Sequence, residues 1–135
     1  MATTAQLFKV DDEEVQTLVL RFPSPWKEDP DWFFNFCRAN DELRIERTAE
    51  GEIQVMAPVG FEGGYHEGTV FAQLYAWAER EGTGCAFNSN TGYVLPNKAN
   101  RAPDCSWVKT SRLIKLTSKQ KKKFIPLCQI GRAHV

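Results

Sequence analysis

One carboxylate, Asp104, occupies the position in this chain that is best suited to chemistry. It directly follows Pro103 and stands at the start of a short apolar run, Cys105–Val108. A carboxylate at the mouth of a buried strand needs a partner other than bulk water, and a divalent metal ion is one such partner. The alternatives are an ordinary turn residue, because Pro-Asp pairs often form turns, and an ion pair with Arg101. The pattern predicts Asp104 as a metal ligand and catalytic residue, although no second acidic strand follows it.

Three further polar residues, Glu62, His66 and Glu67, lie at or just before the start of the longest helical pattern. An acid near a helix N-terminus is favoured by the helix dipole, and a histidine there can simply be a surface or cap residue. The functional interpretation places these side chains opposite Asp104. It makes Glu62 a second metal ligand, and His66 and Glu67 catalytic residues or phosphate contacts.

A single basic cluster, Lys119-Gln-Lys-Lys-Lys123, follows the apolar run. It is either a solvated helix face or a nucleic-acid contact, because phosphate binding is dominated by lysine and arginine. No aromatic residue is interleaved, so the cluster does not resemble a surface on which single-stranded bases stack. The predicted nucleic-acid contacts are Arg101, Lys119, Lys121, Lys122 and Lys123.

Hydrophobic periodicity predicts a mixed α/β domain around these residues. The predicted strands lie within Val15–Phe22, Leu43–Thr48, Glu52–Met56, Cys85–Phe87, Tyr93–Leu95 and Cys105–Val108. The predicted helices are Pro30–Ala39 with Asp29 as N-cap, Tyr65–Glu81, and a short basic helix Thr117–Phe124. The second and third strands form a hairpin around Ala49-Glu-Gly51, and the long helix carries an apolar stripe of Val70, Phe71, Leu74, Trp77 and Ala78.

Composition excludes several classes of protein. The 135 residues have a formal net charge of zero, so a nucleic-acid function must rest on local charge. No window approaches the roughly 18 apolar residues of a membrane span, and the polar N-terminus lacks the pattern of a signal peptide, so a cytoplasmic protein without membrane contact is expected. The four cysteines show no CxxC spacing and are expected to be small buried thiols. P-loop, GxGxxG, HExxH and GxSxG motifs are absent.

Several stretches together resemble the Uma-two family, a group of restriction-endonuclease-like proteins abundant in cyanobacteria. They cover roughly Asp29 to Cys128, and their order and spacing make the match specific. The stretches are Leu43-Arg-Ile-Glu-Arg, Gly51-Glu-Ile-Gln-Val-Met-Ala-Pro58, Leu74-Tyr-Ala-Trp-Ala78, Gly82-Thr-Gly84, Phe87-Asn-Ser-Asn-Thr-Gly-Tyr-Val-Leu-Pro-Asn97, Arg101-Ala-Pro-Asp-Cys-Ser-Trp-Val108 and Phe124-Ile-Pro-Leu-Cys128.

The resemblance implies a PD-(D/E)xK nuclease core, here with an N-terminal helix and hairpin and incomplete at the C-terminus. Asp104 matches the aspartate of that motif. The second carboxylate and the lysine, which the family carries after the Pro-Leu-Cys segment, do not occur in this sequence. In the complete protein, the resemblance implies that Asp104 and the second carboxylate hold Mg²⁺ or Mn²⁺ for hydrolysis of DNA phosphodiester bonds.

These observations predict three regions: an N-terminal extension 1–28, a partial nuclease domain 29–128 and a non-native tail 129–135. The chain is expected to be an inactive fragment of a metal-dependent DNA endonuclease, whose complete form is a homodimer. Its long helix is expected to expose an uncovered apolar stripe. The alternative functions are a non-catalytic nuclease-fold module that binds nucleic acid or regulates, and a plain interaction domain in which Asp104 is a turn residue.

Overall fold

A computed structural model describes residues 4–8, 17–22, 29 and 31–126. The predicted tail 129–135 and most of the predicted extension 1–28 lie outside these ranges. The described residues form nine strands, three α-helices and one 3₁₀ turn, and this mixed α/β architecture confirms the predicted fold class. They separate into two compact units, Met1–Pro58 with Leu95–Asn100, and Val59–Val94 with Arg101–Val135. No helix among the described residues is long and apolar enough to cross a membrane.

The elements of each unit are as follows. The first unit contains β1 Thr4–Phe8, β2 Thr17–Arg21, α1 Trp32–Ala39, β3 Arg44–Arg47 and β4 Ile53–Met56. The second contains α2 Phe61–Glu81, β5 Gly84–Asn88, β6 Tyr93–Val94, β8 Cys105–Lys109, α3 Thr110–Leu113, a 3₁₀ turn Gln120–Lys122 and β9 Ile125–Pro126. Strand β7, Asn100–Arg101, spans the boundary between them, and the sequence patterns predicted no strand there.

The first unit is built on antiparallel strands in the order β1-β2-β4-β3. The predicted hairpin is confirmed as β3 and β4, with Arg47 opposite Ile53. Gly51 closes its turn at φ 85°, a left-handed conformation that glycine adopts without strain, and its N–H donates to the Thr48 carbonyl at 3.0 Å. Asn100 pairs with Arg47 on the other edge of β3.

Helix α1 begins at Trp32, two residues later than predicted, and ends at Ala39 as predicted. The N-cap is Asp31 and not the predicted Asp29, and the Asp31 side chain makes no capping hydrogen bond. The Asp29 carboxylate caps the helix instead. Its Oδ1 accepts hydrogen bonds from the N–H groups of Asp31 at 2.9 Å and Trp32 at 3.2 Å. Phe33 lies on the inner face of the helix and is 1% exposed, so it is among the best-packed side chains of this unit.

A buried arginine connects three elements of the first unit. Arg47 donates from Nε to Asn100 Oδ1 at 2.8 Å, and its guanidinium carbon lies 4.8 Å from the centroid of the Phe33 ring. Burial lowers the pKa of Arg47, while burial also raises the pKa of the neighbouring Cys37 thiol to about 11. The half-buried Cys37 and Cys105 agree only in part with the prediction of small buried thiols, whereas Cys85 is exposed and contradicts it.

The second unit contains two strand pairs. Strands β5 and β8 are antiparallel, with Gly84 opposite Lys109, and β6 and β9 are parallel. Its core is formed by one strand residue from each of three strands, Tyr93, Val108 and Ile125, with Leu113 and Leu116 packed against them. Helix α3, which the sequence patterns did not predict, contributes Leu113 to this packing.

Helix α2 buries less apolar surface than its sequence pattern predicts. Val70 and Trp77 were assigned to its packed stripe, but they are 53% and 40% exposed. Phe61 and Tyr65 stack on each other at a centroid separation of 6.4 Å and are 88% and 66% exposed. Phe71, Leu74 and Ala78 of the predicted stripe are not exposed, so the expected uncovered stripe is present only in part.

Candidate functional site

Asp104 lies immediately before β8, at one end of the β5–β8 ladder. Cys105 pairs with Asn88, so Asp104 lies just beyond the last paired residues of both strands. The side chain is exposed and makes at least one contact within the protein. A carboxylate at the end of a strand that is exposed to solvent can be reached directly by a hydrated cation.

Helix α2 runs antiparallel to β5, because only Gly82 and Thr83 separate the two elements. Trp77 on α2 and Trp107 on β8 are in edge-to-face contact, with ring centroids 5.6 Å apart. Asp104 precedes Trp107 by three residues, which span about 10 Å along a strand. About seven residues of an α-helix span the same length. A helix axis parallel to β8 would put the level of Asp104 near Val70, with His66 and Glu67 roughly 5 Å further along the axis and Glu62 about 12 Å further.

The burial pattern of α2 separates the three polar candidates. The four residues of α2 that are not exposed are Glu67, Phe71, Leu74 and Ala78, a stripe with helical spacing. Glu67 is the charged member of this stripe, while Glu62 and His66 are exposed. Glu67 is thus the α2 acid that shares a face with the side chains packed on the strands.

The start of α2 corrects one interpretation of these residues. The helix was predicted from Tyr65 because Gly63 and Gly64 favour a loop, but it begins at Phe61 with Gly60 as N-cap. The first-turn acid is therefore Glu62, and Glu67 lies too far into the helix for strong interaction with the dipole. Packing of the later turns outweighs the helix cost of two glycines, about 1 kcal/mol each.

Strand β8 is held from its other face by Tyr93. The phenol oxygen of Tyr93 forms a hydrogen bond with the hydroxyl of Ser106, two residues after Asp104. Burial raises the pKa of Tyr93, and the hydrogen bond to Ser106 opposes this rise. The sequence patterns did not identify this pair, because a Tyr and a Ser thirteen residues apart carry no local signal of contact. It fixes the strand that begins next to Asp104.

The predicted metal ligands do not form a complete metal site by themselves. Among residues 17–22, 29 and 31–126, no group of three or more His, Cys, Asp and Glu side chains is placed to hold a metal ion. The carboxylates of Asp104 and Glu62 are suitable ligands for Mg²⁺ or Mn²⁺ by chemistry, but the described donor set does not fit a closed coordination shell. The roles of Asp104, Glu62, His66 and Glu67 at a metal remain predictions.

The predicted phosphate contacts lie in two places. Arg101 is half-buried in β7, and Lys119, Lys121, Lys122 and Lys123 surround the 3₁₀ turn Gln120–Lys122. The predicted basic α-helix Thr117–Phe124 is wrong. Backbone bonds from Lys122 to Lys119 and from Lys123 to Gln120 close tight three-residue turns instead.

The mixed α/β fold is consistent with the restriction-endonuclease-like class. Residues 26–128 match the Uma2 family, described as "Putative restriction endonuclease", and this match covers most of the chain. The chain therefore belongs to the Uma2 family, which confirms the resemblance found in the sequence. No curated protein matches the chain.

Proposed function

We propose that this protein is a component of a metal-dependent endonuclease that hydrolyses DNA phosphodiester bonds, with Asp104 as one metal ligand. Membership of the Uma2 family over residues 26–128 supports a nuclease, and the position of Asp104 before β8 carries its assignment to the site. Mg²⁺ or Mn²⁺ is the proposed cofactor. The proposal includes a cytoplasmic location and a homodimer for cutting both strands.

We further propose that the 135 residues do not cleave DNA unaided. No Asp or Glu follows Asp104 among these 135 residues, so they contain no counterpart of the second carboxylate of the family motif. The described donors also do not fit a closed metal site. Glu67 is the acid best placed to assist Asp104, because it lies on the packed stripe of α2 near the level of Asp104. Exposed Glu62 and His66 are weaker candidates.

Plasmid nicking tests both parts of the proposal. The 135-residue chain and the longest protein read from its genomic locus would be compared with Mg²⁺, with Mn²⁺ and with EDTA. The expected result is no nicking by the 135-residue chain, and metal-dependent nicking by the longer protein that is lost in Asp104→Ala. Asp41→Ala removes an exposed carboxylate from the first unit and serves as the matched control.

Three outcomes would contradict the proposal. Metal-dependent nicking by the 135-residue chain that is lost in Asp104→Ala would show that the site is complete without further residues. Equal activity of Asp104→Ala and Asp41→Ala in the longer protein would remove Asp104 from the site. A stop codon directly after Val135 would exclude the longer enzyme and favour a non-catalytic module that binds nucleic acid.

A further inference from the structure

The zero net charge conceals a strong separation of charge along the chain. Residues 105–135 contain eight Lys and Arg and no Asp or Glu, whereas residues 1–104 contain nine Lys and Arg and seventeen Asp and Glu. Seven of the eight basic residues lie in the described segment 105–126. The segment has no acid of its own, so the counter-charge of its lysines comes either from the acids of residues 1–104 or from an external anion.

The basic side chains of this segment are available to a ligand. Six of them are exposed, and none of the six forms an ion pair within the part of the chain that the structure describes. The six residues, called here the basic segment, are Lys109, Arg112, Lys115, Lys119, Lys121 and Lys122. They include three, Lys109, Arg112 and Lys115, that lie outside the Lys119–Lys123 cluster.

The apolar residues of the same segment hold it to the second unit. Leu113 and Leu116 pack against the core of Tyr93, Val108 and Ile125. Arg112 and Lys115 are neighbours of these leucines in the sequence and stay exposed, as does Ile114 at 71%, so the two leucines point inward and the basic side chains outward. The charges are therefore presented from a folded surface and not from a free tail.

The turn that carries the last lysines is fixed by a reciprocal pair of hydrogen bonds. The N–H of Gln120 donates to Thr117 Oγ1 at 3.1 Å, and the N–H of Thr117 donates to Gln120 Oε1 at 2.9 Å. This is the capping-box arrangement, which satisfies two backbone donors at the start of a helical turn. It fixes the backbone of Lys119, Lys121 and Lys122 without using their side chains.

We propose that the basic segment is a binding surface for the phosphate backbone of duplex nucleic acid, independent of base sequence and of metal. The surface has no carboxylate to accept from base amino groups, and residues 109–123 contain no aromatic side chain to stack on bases. Lysine and arginine contact phosphates, and these contacts carry no sequence information. The choice of nucleic acid as the polyanion rests on the proposed nuclease function.

Fluorescence anisotropy of a short labelled duplex, titrated in EDTA at several salt concentrations, measures this binding. Six phosphate contacts predict a slope of log affinity against log salt of about −5, or a loss of roughly 10³-fold between 50 and 200 mM salt. Two duplexes of different sequence are expected to bind equally. Asp104→Ala is expected to bind like the unmodified chain, so loss of cleavage and loss of binding are separate results.

A matched pair of triple variants identifies the surface. Replacing Lys119, Lys121 and Lys122 by Gln is expected to make the slope less steep by about 3 units. Replacing Arg38, Arg80 and Lys98 by Gln removes the same charge from exposed positions elsewhere and is expected to leave the slope unchanged. Far-UV circular dichroism checks that both variants fold. If the variant at Lys119, Lys121 and Lys122 does not fold, the salt dependence of binding is compared for the single variants Lys121→Gln and Lys98→Gln.

Several results would overturn the proposal. Equal effects of the two triple variants would show binding through overall charge and not through the basic segment. Duplexes that differ in affinity by more than tenfold would require base recognition. Binding to phosphatidylserine vesicles but not to duplex at the same salt would assign the surface to an anionic membrane. If a protein that has lost this duplex binding still shows metal-dependent cleavage, the proposed role of the basic segment is refuted and the nuclease proposal is not.

Discussion

Gly84, the first residue of β5, leaves no room for a side chain. A Cβ atom there would lie 2.4 Å from Trp107 Cε2 and 2.5 Å from the carbonyl oxygen of Val108. Contacts this short require something to shift, and a backbone carbonyl paired in a sheet cannot rotate away. Gly84→Ala therefore displaces β8, the strand that begins next to Asp104. Overpacking of this kind costs about 3 kcal/mol, and the reduced freedom of the unfolded chain offsets somewhat less than 1 kcal/mol.

The expected net loss for Gly84→Ala is about 2 kcal/mol in the free energy of unfolding, or roughly 6–10 °C in Tm. Gly64→Ala is the matched control, because it makes the same chemical change in the same unit. Gly64 lies within α2, and nothing approaches its Cβ position within 4 Å. Alanine there is expected to stabilise the protein by about 0.8 kcal/mol through helix propensity.

Urea unfolding followed by far-UV circular dichroism measures both variants against the unmodified chain. The two substitutions are expected to change stability in opposite directions, with a gap of about 3 kcal/mol and with the slope against urea unchanged. A Gly84→Ala protein within about 0.5 kcal/mol of the unmodified chain would refute the close packing of Trp107 on β5. Destabilisation by Gly64→Ala would refute the helical assignment of the α2 N-terminus.

Three further predictions concern the first unit. Phe33→Ala is expected to lower the free energy of unfolding in urea by about 3–5 kcal/mol, because Phe33 is 1% exposed and its ring contacts the Arg47 guanidinium. A decrease of less than about 1 kcal/mol would contradict this packing. Because the pKa of Cys37 is raised to about 11 in the folded protein, the neutral thiol stabilises the fold below pH 9, and this stabilisation is expected to be lost as pH rises towards 11. Alkylation of Cys37 at pH 8 is expected to be up to about 100-fold slower in the folded protein than in the protein unfolded by urea. Equal alkylation rates in the two states, measured by peptide mass mapping, would contradict the raised pKa. Arg21→Met is expected to cost less than about 1 kcal/mol, since its 2.7 Å pair with Glu52 is solvent-exposed; a larger loss in the same assay would contradict a weak surface pair.

Local sequence signals predicted the parts of this fold that are themselves local. The β3–β4 hairpin follows from two alternating runs around Gly51, and the end of α2 follows from Gly82, which adopts the left-handed conformation at φ 66°. The capping role of Asp29 was likewise predictable, because a carboxylate before a helix finds its partners within three residues. Each of these features depends on contacts between neighbours in the chain.

Features that depend on distant contacts were not predictable from the sequence. Burial of Arg47 depends on Asn100, 53 residues away, and the Tyr93–Ser106 bond depends on strands that are not consecutive. The start of α2 was misplaced because helix packing outweighed the two glycines. Asp104 was predicted from its motif alone, and the contact of α2 with β8 through Trp77 and Trp107 was not predictable from the sequence.

The contact between Trp77 and Trp107 has an optical consequence. Two indoles 5.6 Å apart and inclined at 63° couple their electronic transitions, and such a coupled pair gives a two-signed circular dichroism band whose strength falls steeply with separation. One indole is carried by α2 and the other by β8, three residues after Asp104. The strength of this band therefore reports the separation of α2 and β8. It is expected to change if a ligand at Asp104 moves the strand, and no added label is needed.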